Sequence, residues 1–286
     1  MNKITSRFWR ALSLTSWVMA SLSFVSMAGA AEEALPALSY DQTGERLLKV
    51  QANQLFESTD GRAAWTMIPL PDEVAEGRLV TVSATAEQAL YIAGPSIGVQ
   101  RSTDHGETWQ ELNDGLPNQD VTALDVHRHQ PETLYVVIAD DGLYQSEDAG
   151  TTWKKMDSGP AQPVRRLIHS DMEGSMQTGW LYAVSDDAVR LSMDCFCGWR
   201  PTGELDAGRV YDLAYKLDDP EHVYVATEQG LWRSDNGGQE WQQVKGNGPT
   251  LVALTLAPQG TLYALDREGE LMRSEDQGQT WTPPDA

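Results

Sequence analysis

The chain holds two cysteines, Cys195 and Cys197, in 286 residues. So few exclude a scaffold built on disulfides. Basic residues are scarce as well: 21 Lys plus Arg stand against 42 Asp plus Glu, a formal charge of −21. Lys3, Arg7 and Arg10 lie in the first ten residues. The rest of the chain is therefore more acidic still, at about −24. Such a surface lacks the basic footprint that nucleic-acid phosphates require, and anionic membranes repel it. Beyond residue 30 no run is long and apolar enough to span a bilayer, and nothing reads as a long helix.

The first thirty residues differ from the rest. "MNKITSRFWR" is basic and free of acids, "ALSLTSWVMASLSFVSM" is apolar or small, and Ala28-Gly29-Ala30 offers an A-x-A cleavage site. We expect a cleaved secretory signal peptide over residues 1–30 and one domain over residues 31–286. No Cys follows the site and no twin-Arg pair precedes the apolar run. The expected destination is therefore periplasmic or secreted, by the general secretory route.

One phrase recurs through the remainder. It reads "RSTDHGETW" at 101–109, "QSEDAGTTW" at 145–153 and "RSEDQGQTW" at 273–281. Its last residue recurs as Trp65, Trp109, Trp153, Trp199, Trp241 and Trp281, and seven positions before each stands Ser58, Ser102, Ser146, Ser192, Ser234 or Ser274. The third slot holds Asp60, Asp104, Asp148, Asp194, Asn236 and Asp276. The fifth holds Gly106, Gly150, Gly238 and Gly278, with Arg62 and Phe196 as exceptions. Between boxes each unit reads as short strands, as in "VTALDVH", "LYVVIA", the turn "DDG", and "LYQSE". Four antiparallel strands about every 43 residues describe a propeller blade. The chain should thus be all-β, a six-bladed β-propeller of four-stranded antiparallel blades with Asp-box turns. No N-terminal strand is left over to complete the last blade, so the means of ring closure stays open.

The repeat resembles the BNR, or Asp-box, group found in sialidases, sortilin-type receptors, some glycoside hydrolases and Ycf48-like photosystem assembly factors. The resemblance implies that each box is the turn between third and fourth strands, with a folding role. Asp and Ser side chains would bond nearby amides, Gly would supply the unusual backbone angle, and Trp would bury between sheets. The boxes are shared across unrelated functions and leave function open.

The resemblance to sialidases implies three arginines around a carboxylate, a Tyr–Glu pair, an Asp acid and an Arg-Ile-Pro motif. The nearest text is "TMIPL" at 66–70, with Met in place of Arg. Catalytic residues are therefore not assigned, and no cofactor is called for. Aligning the blades on Val82, Leu124, Leu167, Leu213 and Leu254 gathers Arg78, Arg165, Arg166 and Arg209 at the entry of the innermost strands. They form either a carboxylate-binding rim, suited to an acidic peptide tail, or local pairs with acids such as Asp212. In "MDCFCGW" (193–199) two cysteines flank Phe196; they admit a local disulfide, a soft-metal site or unpaired thiols. His127 and His129 end an inner strand, as metal ligands or as exposed turn residues. They should share a face with the box turns, two blades from the cysteines. Trp180 reads as a binding anchor or as core edge.

The reading that results is a monomeric, non-catalytic exported scaffold that binds a protein client, as an assembly or maturation factor for an envelope complex does. The rival classes are a glycan-binding or glycoside-hydrolysing enzyme, and a redox or metal-handling protein acting through Cys195 and Cys197.

Overall fold

The computed structural model describes residues 35–284, apart from 42–44, 60, 63, 76–77, 86–87, 176–177, 194 and 247. The expected signal peptide, Asp60 and Asp194 lie outside the described residues. Six antiparallel sheets follow one another along the chain and form the expected six-bladed β-propeller. Blades one to six cover residues 37–68, 81–111, 121–157, 166–201, 210–243 and 251–274. One 3-10 turn, Asp72–Ala75, joins blades one and two.

The innermost strands are Ala37–Asp41, Thr81–Ala84, Val121–Val126, Arg166–Ser170, Val210–Lys216 and Leu251–Leu256. Leu38, Val82, Leu124, Leu167, Leu213 and Leu254 are all at most 1 % exposed, so every inner strand carries one fixed apolar anchor. The register repeats as well. Each box serine pairs with an apolar residue near the start of the second strand, as in Leu90↔Ser102, Leu134↔Ser146 and Val223↔Ser234. Alternation along each strand sends side chains into the wedges on its two sides, which is why the strands read as nearly continuous apolar runs.

Six clusters fill the six wedges between blades. Each box Trp joins the wedge between its own blade and the one before. Trp153 is buried there, and its indole donates to the Leu112 carbonyl at 2.8 Å. Trp109 donates to the Pro69 carbonyl at 3.0 Å. Blades one and six meet through Leu38, Leu47, Ala253, Leu265 and Leu271. Lys49 and Gln51 of blade one donate to the carbonyls of Gly269 and Glu268. Among the described residues the ring therefore closes by packing, without strand exchange.

The sixth blade departs from the expected four strands. Its outermost strand is reduced to one bridge, in which Arg273 and Thr282 exchange backbone hydrogen bonds of 2.8 and 2.9 Å. Pro283 and Pro284 follow. Proline has no N–H to extend the ladder.

Candidate functional site

Each box is a small hydrogen-bonded knot. In box two the Ser102 hydroxyl donates to Asp104 Oδ1 at 2.8 Å and accepts from the Gly106 amide at 2.8 Å. The same Asp oxygen accepts from the Thr108 amide at 2.9 Å, while the Thr108 hydroxyl donates to Asp104 Oδ2. Boxes three and six repeat this with Thr152 and Thr280. The Thr108 bonds, then that from Ser102, hold Asp104 down to about 2, and Thr280 does the same for Asp276. Asn236 replaces Asp in box five and still takes the Glu240 amide at 2.9 Å. The serine-to-glycine bond forms in the four boxes with Gly in slot five. In box one Ser58 instead donates to the Arg62 carbonyl at 2.8 Å. In box four Ser192 Oγ has no partner among the described residues.

Box four has a different anchor. Phe196 takes the left-handed backbone of slot five (φ 54°) and is fully buried. Its ring enters the wedge between blades three and four, edge-on to Tyr135 and His169. Cys195 and Cys197 are joined in a disulfide, and no free cysteine occurs among the described residues. Trp180 is buried in the wedge between blades four and five.

A cavity of about 420 Å³ runs down the propeller axis, lined by the exit halves of all six inner strands. Arg166 stands in its wall. The position before each apolar anchor holds Ala37, Thr81, Ala123, Arg166, Asp212 and Ala253, so Arg166 is the one long side chain among them. Arg166 donates to Asp212 Oδ1 at 3.2 Å, to Thr81 Oγ1 at 3.3 Å and to the Leu38 carbonyl at 2.9 Å. One side chain thereby ties blade four to blades five, two and one. Asp212 also accepts the amides of Leu213 and Leu254, both at 2.8 Å. Burial pushes its carboxyl up, against the opposing charge of Arg166.

The other arginines do not join Arg166. Arg165 and Arg209 converge on Asp186, which is 57 % exposed. Arg78 is exposed and makes no ion pair among the described residues. The structure brings together two of the four, around a shared acid, and turns a third into the axis. Alternation along the strand separates Arg165 from Arg166, which the linear alignment could not resolve.

Two carboxylates line the cavity. Asp41 is buried and receives Arg46 Nε at 2.8 Å. Asp125 opens partly to the cavity but is closely surrounded, and burial raises it to about 6 against the His169 amide and Arg166. Its Oδ2 accepts the His169 amide at 2.7 Å and its Oδ1 the Ser83 hydroxyl at 3.2 Å. Both oxygens therefore stitch blade three to its neighbours.

Beside this mouth lie three histidines. His127 is buried and His129 is 66 % exposed, because the strand ends at Val126 and the pair no longer points one way. His169, from the next blade, is buried with its ring centroid 4.1 Å from that of His127. Asp171 receives Arg128 at 3.5 Å and His129 at 3.4 Å on Oδ2. His127 and the disulfide stand one blade apart, not two, with Phe196 touching His169 between them. Sequence reading missed His169 and the box threonines. The threonines recur visibly before the tryptophans, and His169 occupies a strand exit like that of His127.

Comparison with known proteins gives a consistent picture. The family model for sortilin, neurotensin receptor 3 (Sortilin-Vps10) matches residues 98–202. A probable oligoxyloglucan-reducing end-specific xyloglucanase of Neosartorya fischeri is 34 % identical over 92 residues, 28 % of this chain and 11 % of that protein. The structure of YCF48 bound to D1 peptide superposes with a TM-score of 0.62 at 19 % identity, over 88 % of this chain and 82 % of that one. The GH74 enzyme of Niastella koreensis gives 0.59 at 14 % identity, over 87 % of this chain and 46 % of that one. The chain thus spans a small part of the xyloglucanase and less than half of the GH74 enzyme. At these identities the superpositions speak for fold. With its ring of sheets and these likenesses, the chain is a six-bladed β-propeller whose blades carry Asp-box turns, similar over residues 98–202 to the sortilin family.

Proposed function

We propose that the protein is an exported, non-catalytic scaffold that receives a protein client at the axial mouth formed by the strand exits. The observation that carries this reading is the commitment of the cavity's acids. Asp41 is held by Arg46, and both oxygens of Asp125 hold neighbouring blades. Acid–base hydrolysis of a glycoside asks for two carboxylates free to face the substrate. The cavity offers shape and polar lining instead. The likeness in length and fold to YCF48, solved with a peptide, supports a peptide segment of a client as the ligand, with maturation of an envelope complex as the setting. An acidic tail would engage Arg78, Arg165 and Arg209 at the opposite, strand-entry face.

The test is crosslinking and affinity capture from the host's envelope with three forms of the chain. One is wild type. One carries Ala84→Arg and Thr255→Arg, which fill the mouth. One carries Arg78, Arg165 and Arg209 changed to Glu. Loss of the client from the mouth variant alone supports the proposal. Loss from the arginine variant alone moves the site to the entry face. Hydrolysis of xyloglucan oligosaccharides by wild type would overturn the non-catalytic reading in favour of the glycosidase alternative suggested by the xyloglucanase match.

A further inference from the structure

We propose that His127, His169 and Asp171 form a binding site for a divalent transition metal of the zinc class, in the wall of the axial cavity. Each residue offers one ligand atom, and these atoms lie within 4.8 Å of one another. Around tetrahedral zinc, ligand atoms stand about 3.4 Å apart, so no pair need close by more than about 1.4 Å on binding.

The second observation is a set of polar atoms without partners. His169 is 3 % exposed, yet neither of its ring nitrogens has a hydrogen-bond partner among the described residues. Asp171 Oδ1 is also buried and has no partner among the described residues. Leaving such groups unsatisfied is costly, and native structures rarely do so without a reason. One metal ion would take one imidazole nitrogen of His169 and Asp171 Oδ1 together. The surroundings hold the ligands in place. Tyr135 stacks on His169 at 5.5 Å, and Phe196 closes its edge. Gly179 leaves the ring its room, since a Cβ there would stand 2.9 Å from His169 Nε2. His127 Nε2 pairs with the Thr178 hydroxyl, the outer bond that fixes a ligating imidazole's tautomer. Its Nδ1 then ligates, releasing the 3.1 Å contact from the His129 amide. Arg128 and His129 occupy Asp171 Oδ2 and leave Oδ1 for the ion.

Two imidazoles and a carboxylate suit zinc, cobalt, nickel or copper; magnesium and calcium favour all-oxygen shells. His169 lines the cavity. Three protein ligands would leave a fourth coordination position for a further ligand.

The test is titration of untagged, chelator-treated chain with Zn²⁺ by calorimetry and with Co²⁺ by visible absorption. One ion per chain is expected, with a Kd on the order of micromolar or tighter. His169→Gln and His127→Gln should weaken binding by about 100-fold or more, and Asp171→Asn by about 10- to 100-fold. His222→Ala, in blade five, should stay within about threefold. Mg²⁺ should not compete. Circular dichroism checks that each variant folds, and the Co²⁺ spectrum of wild type reports ligation even if a variant fails. No ion bound by folded wild type, or full affinity in folded His169→Gln, would overturn the proposal. The readout is the metal alone, so it succeeds or fails independently of client binding.

Discussion

Phe196 stands edge-on to Tyr135 across the interface of blades three and four, with ring centroids 5.3 Å apart and planes at 89°. The phenylalanine sits where four other boxes carry glycine. Changing it to Gly restores the box motif and relieves a left-handed residue, a gain of about 1 kcal/mol. It also removes a fully buried ring, a loss of about 3–5 kcal/mol. The loss wins, so Phe196→Gly should destabilise the protein in urea denaturation. A variant as stable as wild type would show that the wedge refills.

Ser102 and Ser192 occupy the same slot with opposite bonding. Ser102→Ala removes three hydrogen bonds inside the box turn and should cost about 1–2 kcal/mol. Ser192→Ala removes a buried hydroxyl that bonds to nothing described and should be neutral or slightly stabilising. Denaturation midpoints of the two variants give the comparison directly.

The box carboxylates set an acid limit. Asp104 and Asp276 titrate near 2 in the fold, below the ordinary carboxylate value near 4. Their contribution is therefore present above pH ~4 and lost as pH falls toward 2. Asn236 shows that an amide keeps the same turn. A triple variant, Asp104→Asn, Asp148→Asn and Asp276→Asn, should fold normally at pH 7. Its stability should change less than that of wild type between pH 4 and 2. Parallel acid-unfolding curves for the two proteins would contradict this.

Arg166 and Arg78 were equal candidates in sequence but should behave differently. Arg166→Met strands Asp212, a buried carboxylate already pushed up by desolvation, and should cost about 3 kcal/mol. Arg78→Ala, on the surface, should stay within about 0.5 kcal/mol. Arg165→Ala should lose no more than about 1 kcal/mol, because Asp186 is exposed and keeps Arg209. Thermal unfolding of the three separates the axial role from the rim role.

The repeat was legible because a fixed Ser-to-Trp spacing writes the same turn six times, and strand register follows from that turn. The site was much less legible. Arg165 and Arg166 are adjacent in sequence, yet pleating sends one to the rim and one to the axis. His127 and His169 come from adjacent blades, and only the curvature of the ring brings their imidazoles to 4.1 Å. Periodicity reports what recurs in every blade, whereas these side chains occur in one blade each.

Covalent continuity supports five of the six interfaces. If those blades separate, the chain holds them nearby at high effective concentration. Blades six and one share no such tether, and their apolar cluster is the smallest described. The ring is therefore a bracelet with a single clasp, built of Leu38, Leu47, Leu265, Leu271 and the Lys49 ammonium 4.4 Å from the Trp65 ring. Partial opening should begin at that clasp, and Arg166, reaching from blade four to the Leu38 carbonyl, acts as a latch drawn across the hole to hold it shut.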